Sequence, residues 1–436
     1  MISFALTTLD GGVRSRIACD DTAMRVQPRS CSTALMTAPD SFPPTRAEGL
    51  RRLAAFVPHA GRAYAEGRNA DHGAGNHAAV SQLSPYLRYR LITEAEVVAA
   101  VLAVHKPAAA EKYVQEVLWR TYWKGWLELR PAVWQRFVDE RDRMRAGFPD
   151  ARAIVAAENG MTGIDGFDDW ARELVETGYL HNHARMWFAS IWIFTLRLPW
   201  TLGADFFMRH LIDADPASNT LSWRWVAGLQ TAGKTYLATA DNIARFTGGR
   251  FAPKGLARTA AALTEAPIEA PNALPPAPPP RSTGPSLLLV TAEDMSPETL
   301  FCVAGPISAV SIMIGPGLSA GEPTKVFAGD VVEDTACRLT AHYRCQAEVS
   351  PVIDAAAVIA AAQNAEVRQV VTAYAPVGPT AAALREMAPT LGAAGINLCQ
   401  ARRSWDTRFW HGAKKGFFAF KEQIPAGLTA EGLAGR

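Results

Sequence analysis

Tyr113, Glu116, Trp119 and Arg120 recur at i, i+3, i+6 and i+7. On a helix this spacing turns a carboxylate, a guanidinium and two aromatic rings to one side. Spacing alone fits a core aromatic stripe with a salt bridge beside it, the commoner arrangement, as well as it fits a functional face. A second group is His181-Asn-His-Ala-Arg185-Met186. Asn182, Arg185 and Met186 fall at i, i+3 and i+4, and an amide, a fixed cation and a polarisable thioether facing one way suit a heteroaromatic ring system. His181 and His183 are two apart and diverge on a helix, which speaks against a shared metal. The plainer account is a helix start with satisfied polar groups. The third group is Asp213-Ala-Asp215, then Asn219, Trp223 and Trp225. Two close carboxylates can hold a metal, meet an arginine or cap the next helix. Capping by Asp215 or Asn219 asks least, and a pair between Asp213 and Arg185 would join the second group to the third. Gly228-Leu-Gln-Thr-Ala-Gly233-Lys234-Thr235 fits a phosphate-loop pattern. That motif needs a strand before it, and Ser222 to Ala227 reads as helix, so no metal or nucleoside triphosphate site is assigned here.

These groups need a scaffold, and the chain is long enough for one. Its 436 residues, 49% hydrophobic and 20% charged, allow two or three domains with substantial cores. A formal net charge of +2 excludes a global polycation, so nucleic-acid binding would need a local basic patch. The 12 tryptophans are first of all core material. The cysteines, Cys19, Cys31, Cys302, Cys337, Cys345 and Cys399, form no C-x-x-C pair, which removes a zinc ribbon or a local iron–sulfur run and suits reduced thiols in the cytoplasm. No secretory signal is read. The most apolar run, Trp187 to Trp200, is broken by Arg197 and Pro199 and falls short of the ~20 residues that span a bilayer. It reads as a buried helix.

The predicted organisation is multi-domain: an all-α domain followed by a smaller α/β domain. Residues 1–40 lack periodicity and are expected to be disordered, with Met36 an alternative start. Residues 41–262 read as helical. Thr93 with Glu96 marks a capped helix over Thr93 to Val104, and further helices are read at Glu111 to Leu129, Trp170 to Gly178, His181 to Thr195, Ala204 to Leu211 and Ser222 to Leu229. Residues 263–285 are a linker crowded by Pro275, Pro276, Pro278, Pro279 and Pro280. Residues 286–425 alternate strands and helices. Strands are read at Leu287 to Thr291, Ala309 to Ile314, Lys325 to Ala328, Gln369 to Tyr374 and Ile396 to Gln400. Helices are read at Met295 to Val303, Asp330 to Tyr343, Ala355 to Ala362 and Thr380 to Leu391. This is the texture of a Rossmann-like, mostly parallel sheet. Residues 426–436 read as a flexible tail.

Together and in this order, the motifs resemble the FAD domain of photolyases and cryptochromes. Val80-Ser81-Gln82-Leu83-Ser84 resembles the family's Thr-Ser-Arg-Leu-Ser loop around the FAD phosphates, with Gln82 in place of the arginine. Glu116-Val-Leu-Trp119-Arg120 resembles its Glu-Leu-Ile-Trp-Arg-Glu helix, with Thr121 replacing the last glutamate. Thr177 to Met186 resembles Thr-Gly-Trp-Met-His-Asn-Arg-x-Arg-Met, and Leu211 to Asp215 with Asn219 resembles Ile-Asp-Gly-Asp…Asn. The resemblance implies that Ser81, Gln82, Leu83, Ser84, Tyr113, Arg120, Asn182, Arg185, Asp213, Asp215 and Asn219 bind FAD. Asn182 would lie beside the flavin N5, and Arg185 would pair with Asp213. Glu116, Trp119, Met186 and Trp225 would face a DNA lesion. Trp223 and Trp200 match the inner and middle members of the family's tryptophan chain; no tryptophan stands between Val138 and Gly163 for the distal one.

The implied activity is light-dependent repair: reduced FAD donates an electron to a pyrimidine dimer in damaged DNA. The alternative is a blue-light photoreceptor using the same pocket. The family places its α/β domain first, whereas here it follows; Val371 to Pro376 and Gly416 to Phe420 resemble segments of that leading domain, which implies a permuted order. A monomer with no membrane segment is expected, and no antenna pigment is assigned.

Overall fold

A computed structural model describes residues 42–277, 284–300, 306–314 and 321–433. The segment 1–40, part of the proline-rich linker and the last residues of the tail lie outside the described residues.

The first part of the chain is helical, and its boundaries follow local chemistry. Helix Glu94–Val104 starts with a complete capping box: the Glu96 N–H donates to the Thr93 hydroxyl at 3.2 Å, and the Thr93 N–H donates to the Glu96 carboxylate at 2.8 Å. Pro107 opens the long helix Pro107–Glu128 at a position where its missing N–H is not needed. Helix Phe167–Thr177 closes on Gly178 in the left-handed region. Helix Asn182–Ser190 runs into a π-helical turn, Ile191–Thr195, and ends before Pro199. Helices Trp200–His210 and Pro216–Val226 follow, the second capped by the Asp215 carboxylate, which accepts from the Ser218 N–H at 2.8 Å. Capping was the first account of Asp215, and it is what the carboxylate does. The segment from Gly228 to Thr235 follows this helix in turns, without the strand that a phosphate loop requires.

Gly203 is a packing requirement. A Cβ there would stand 2.4 Å from the Trp223 ring and 2.9 Å from the Trp192 ring, and both rings are buried. Gly203→Ala should therefore destabilise by about 1–3 kcal/mol despite its better helix propensity, read as a lower denaturant midpoint at unchanged slope.

The second part holds a five-stranded parallel sheet in the order β3-β2-β1-β4-β5. The strands are β1 Ser286–Val290, β2 Ile307–Met313, β3 Ala347–Ser350, β4 Gln369–Ala373 and β5 Asn397–Ala401. Leu287, Leu289 and Val370 bury one face under helices Ala355–Asn364 and Pro379–Ala393. Leu288, Val290, Ile312 and Val371 bury the other with Phe327 and Val331 of helix Glu322–Tyr343, continuous with the core of the helical part. The expected strand at Lys325 to Ala328 is instead inside that helix, whose core-facing side includes Phe327, Val331 and Leu339. Met295 to Val303 was expected to be helical; its described portion has only a 3-10 turn, Pro297–Thr299.

After β5 come three short helices, Ser404–Trp410, Phe417–Lys421 and Ile424–Ala430; the first two fold back on helix Pro107–Glu128 and the third packs on the first. Gly125 permits this approach, since a Cβ would meet the Trp410 Cα at 2.8 Å. The Trp405 indole N–H donates to the Thr121 hydroxyl at 3.0 Å, so the residue that departs from the family pattern serves as an anchor. Among the described residues no helix is long and apolar enough to cross a membrane.

Candidate functional site

Arg185 and Asp213 form a two-pronged pair at the head of helix Asn182–Ser190. Both guanidinium nitrogens donate to the carboxylate at 2.9 Å, and the Arg185 Nε donates to the Leu180 carbonyl at 2.8 Å. Burial would raise the Asp213 carboxyl, but the charge and hydrogen bonds of Arg185, with the Ser84 hydroxyl, hold it below the usual aspartate range. Ser84 thereby joins the pair to the 81–84 loop. Ser81 lies near the Tyr113 hydroxyl, which burial pushes up to about 12. Tyr64, absent from the motif reading, meets Tyr113 edge-on with centroids 5.0 Å apart.

The 81–84 loop has the form of an anion cradle. Gln82 is left-handed, at φ 50°, and Leu83 beside it is right-handed. This alternation turns successive N–H groups to one side. The N–H groups of Gln82, Leu83 and Ser84 donate to no group among the described residues. Ser81, Gln82 and Ser84 are half-buried, whereas Leu83 is buried.

Arg120, Asp215 and Asn219 are placed differently. Arg120 lies 3.5 Å from Asp215 and 3.7 Å from Glu94, and Lys124, one turn further on, lies 3.4 Å from Asp215. The Asn219 amide donates to the Ala204 carbonyl at 2.8 Å. These groups are committed to one another and to the backbone. Lys124 was missed, although its place four residues after Arg120 was legible as the same helical face.

Glu116, Asn182, Met186 and Trp225 are at least partly exposed, as a rim would be. Glu116 has Arg68 as its nearest cation, at 3.9 Å. Partial enclosure raises its carboxyl above the ordinary value against the pull of Arg68. Trp225 stacks on Tyr236 at 5.6 Å, and the Tyr236 hydroxyl meets His183 at 3.3 Å. Trp119 is half-buried, and Phe417 lies flat on it, with centroids 3.6 Å apart and planes 9° apart. One face of the indole is thus taken by the trailing part of the chain. Trp223 is buried against Phe207 and Trp192, at 5.1 and 6.3 Å. Trp200 lies apart, half-buried, 5.7 Å from Phe137.

His181 caps helix Asn182–Ser190 through Nδ1, which accepts from the His183 N–H at 3.2 Å. Burial pushes its imidazole down to about 4, against the pull of Asp71. Between that value and the unfolded value near 6.5 the unfolded chain binds more protons, so stability falls as pH drops through this window. The expected contribution is roughly 2 kcal/mol lost by pH 5. His181→Asn keeps a cap and removes the titration, so its thermal midpoint should fall less between pH 7 and pH 5 than that of the parent.

Comparison with known proteins converges on these elements. Residues 113–254 match the FAD binding domain of DNA photolyase. The deoxyribodipyrimidine photo-lyase of Streptomyces griseus is 36% identical over 159 residues, which is 35% of this chain and 33% of that protein. The deoxyribodipyrimidine photo-lyase of Thermus thermophilus is 32% identical over 213 residues, 49% of each chain. The chain thus spans a third to a half of the length of these relatives. A bacterial class III photolyase from Agrobacterium tumefaciens aligns structurally over 48% of this chain and 44% of its own, with 28% identity and a TM-score of 0.39.

Proposed function

From a chain whose 113–254 region belongs to the photolyase and cryptochrome family, we propose a light-driven flavoprotein that holds FAD in its helical part and acts on pyrimidine dimers in DNA. The observation that carries this reading is the two-pronged Arg185–Asp213 pair, with Ser84 of the 81–84 loop near its carboxylate. That donor set fits a dinucleotide with a ring system beside its phosphates.

Ser81, Gln82, Leu83 and Ser84 would take the phosphates through backbone N–H groups and hydroxyls. Gln82 brings no charge, so the backbone carries this task. Arg185, its orientation fixed by Asp213 and Leu180, would present a cation to the electron-rich edge of the ring, with Asn182 beside it. Arg120, Asp215 and Asn219 act as positioning residues: their polar groups hold the head of helix Pro216–Val226 and the wall it forms. Bound there, the flavin would supply absorption of blue light and a single electron for the dimer.

The chain would supply the rest of the substrate site. Glu116 would accept a hydrogen bond from an extruded base at the rim of the pocket. Trp225 and the uncovered side of Trp119 would give it stacking surface. Exposed Lys414 and Lys415, next to Phe417, supply the local positive charge that the small net charge requires, so binding should weaken with salt. Trp223 and Trp200 would carry electrons toward the ring.

The test is restoration of a dimer-containing oligonucleotide by purified protein with reductant. Repair should need blue light and fall strongly in Glu116→Ala. FAD retention without restoration would move the reading to a photoreceptor. Release of FMN, or of no flavin, would end both.

A further inference from the structure

A second concave site lies against Trp200, away from the cradle. It is an open cleft of about 930 Å³ walled by the end of helix Pro131–Gly147, the Ile193 to Thr201 segment and the strap 259–263. Trp200, Phe148 and Phe194, each half-buried, give it flat apolar surface.

Its polar groups are few and oddly disposed. Thr201 is wholly buried, lines the cleft, and its hydroxyl has no hydrogen-bond partner in the structure. A buried hydroxyl in that state calls for a partner from outside. Arg197 is exposed on the cleft wall and has no ion-pair partner among the described residues. The neighbouring arginines are engaged: Arg143 with Glu140, which line the cleft as a neutral couple, and Arg145 with Asp205. Arg197 is also left-handed, at φ 57°, just after the π-helical turn. A strained arginine, a π-turn and an orphaned hydroxyl around one apolar cleft are the marks of a site built for a ligand.

We propose that this cleft binds a small planar aromatic anion. Its ring lies against Trp200 and Phe148, and its acidic group meets Arg197. The net charge of the lining, one unpaired cation, selects the anion; the depth of aromatic surface selects the ring. None of its residues belongs to the 81–84 cradle; Trp200 is shared with the proposed electron path, so the test reads ligand binding and not repair.

Titration of the full chain with naphthalene-2-sulfonate, followed by tryptophan fluorescence, tests it. The parent should show saturable single-site quenching. Uncharged 2-methoxynaphthalene should bind at least ~10-fold more weakly, the scale of one charge-assisted contact. Arg197→Gly should weaken the sulfonate by a similar factor. Glycine accepts the left-handed backbone without strain, so the thermal midpoint of that variant should not fall, and its loss of binding is then not a loss of fold. Quenching that does not saturate, or that Arg197→Gly leaves unchanged, overturns the proposal.

Discussion

Asp213→Ala should purify almost free of flavin and melt below the parent. The substitution leaves the Arg185 guanidinium without the two hydrogen bonds it donates to the Asp213 carboxylate. Removing one member of a buried pair costs about 3–5 kcal/mol, because the remaining charge stays desolvated. At about 1 °C per kcal/mol for a chain of this size, the midpoint should fall by roughly 3–5 °C. The flavin-to-protein absorbance ratio reads the cofactor, and a thermal scan of the flavin-free parent separates cofactor loss from scaffold loss. The effect also carries a pH signature. The Asp213 carboxyl sits below the ordinary aspartate value in the folded chain, so its stabilisation is complete above the unfolded pKa, near 4, and is lost as pH falls through the folded value. Asp213→Ala should lack that part of the acid limb. A variant that keeps its FAD would remove the pair from the cradle.

The parts of this site that were legible in the sequence are those set by short-range geometry. The capping box of Thr93 and Glu96, the cap supplied by Asp215 and the helical phase of Arg185 depend on neighbours within one turn. The long-range Arg185–Asp213 pair was expected only because two motifs implied it together. What remained hidden depends on docking. No spacing rule places Phe417 on Trp119, since the whole sheet intervenes between them in sequence. Strand β3, Ala347–Ser350, was unread because it is an edge strand of mixed exposure without an apolar run. Lys325 to Ala328 was read as a strand because four residues cannot distinguish period two from one turn of a buried helix.

Docking also explains what the α/β part does not do. Open parallel sheets take ligands where the strand order reverses, outside the carboxyl ends of the strands. Here that point lies between β1 and β4. The segment following β1 carries Glu293 and Asp294, and the helical part fills the space with Arg88 and Arg90. Arg88 lies 3.2 Å from Glu293 and donates to the carbonyls of Ala214 and Ala292. Gly378, beyond β4, lets the chain close on Pro216. The crevice that would hold a nucleotide in such a sheet is an interface with the rest of the chain, one residue away from Asp213 and Asp215.

Arg90 is the centre of that interface, and its removal is expected to be strongly destabilising. The side chain is buried, with one nitrogen donating to both Asp406 oxygens at 2.8 and 2.6 Å, Asp294 at 3.6 Å and Glu94 at 3.9 Å. The three carboxylates do not depend on it equally. Asp294 keeps Arg403, at 2.6 and 2.8 Å, and Glu94 keeps Arg120, at 3.7 Å. Asp406 has no other hydrogen-bonded cation among the described residues. Arg90→Ala should thus strand Asp406 and cost about 3–5 kcal/mol. Because burial already raises the Asp406 carboxyl, the variant should recover part of its loss at low pH, where that group can be neutral. Arg90→Met combined with Asp406→Leu removes both charges and fills the volume, so the double variant should be more stable than Arg90→Ala by at least about 2 kcal/mol. Urea midpoints for the two single changes and the double give the coupling directly. A double variant as weak as Arg90→Ala would mean that Glu94 and Asp294, rather than Asp406, are what the guanidinium holds in place.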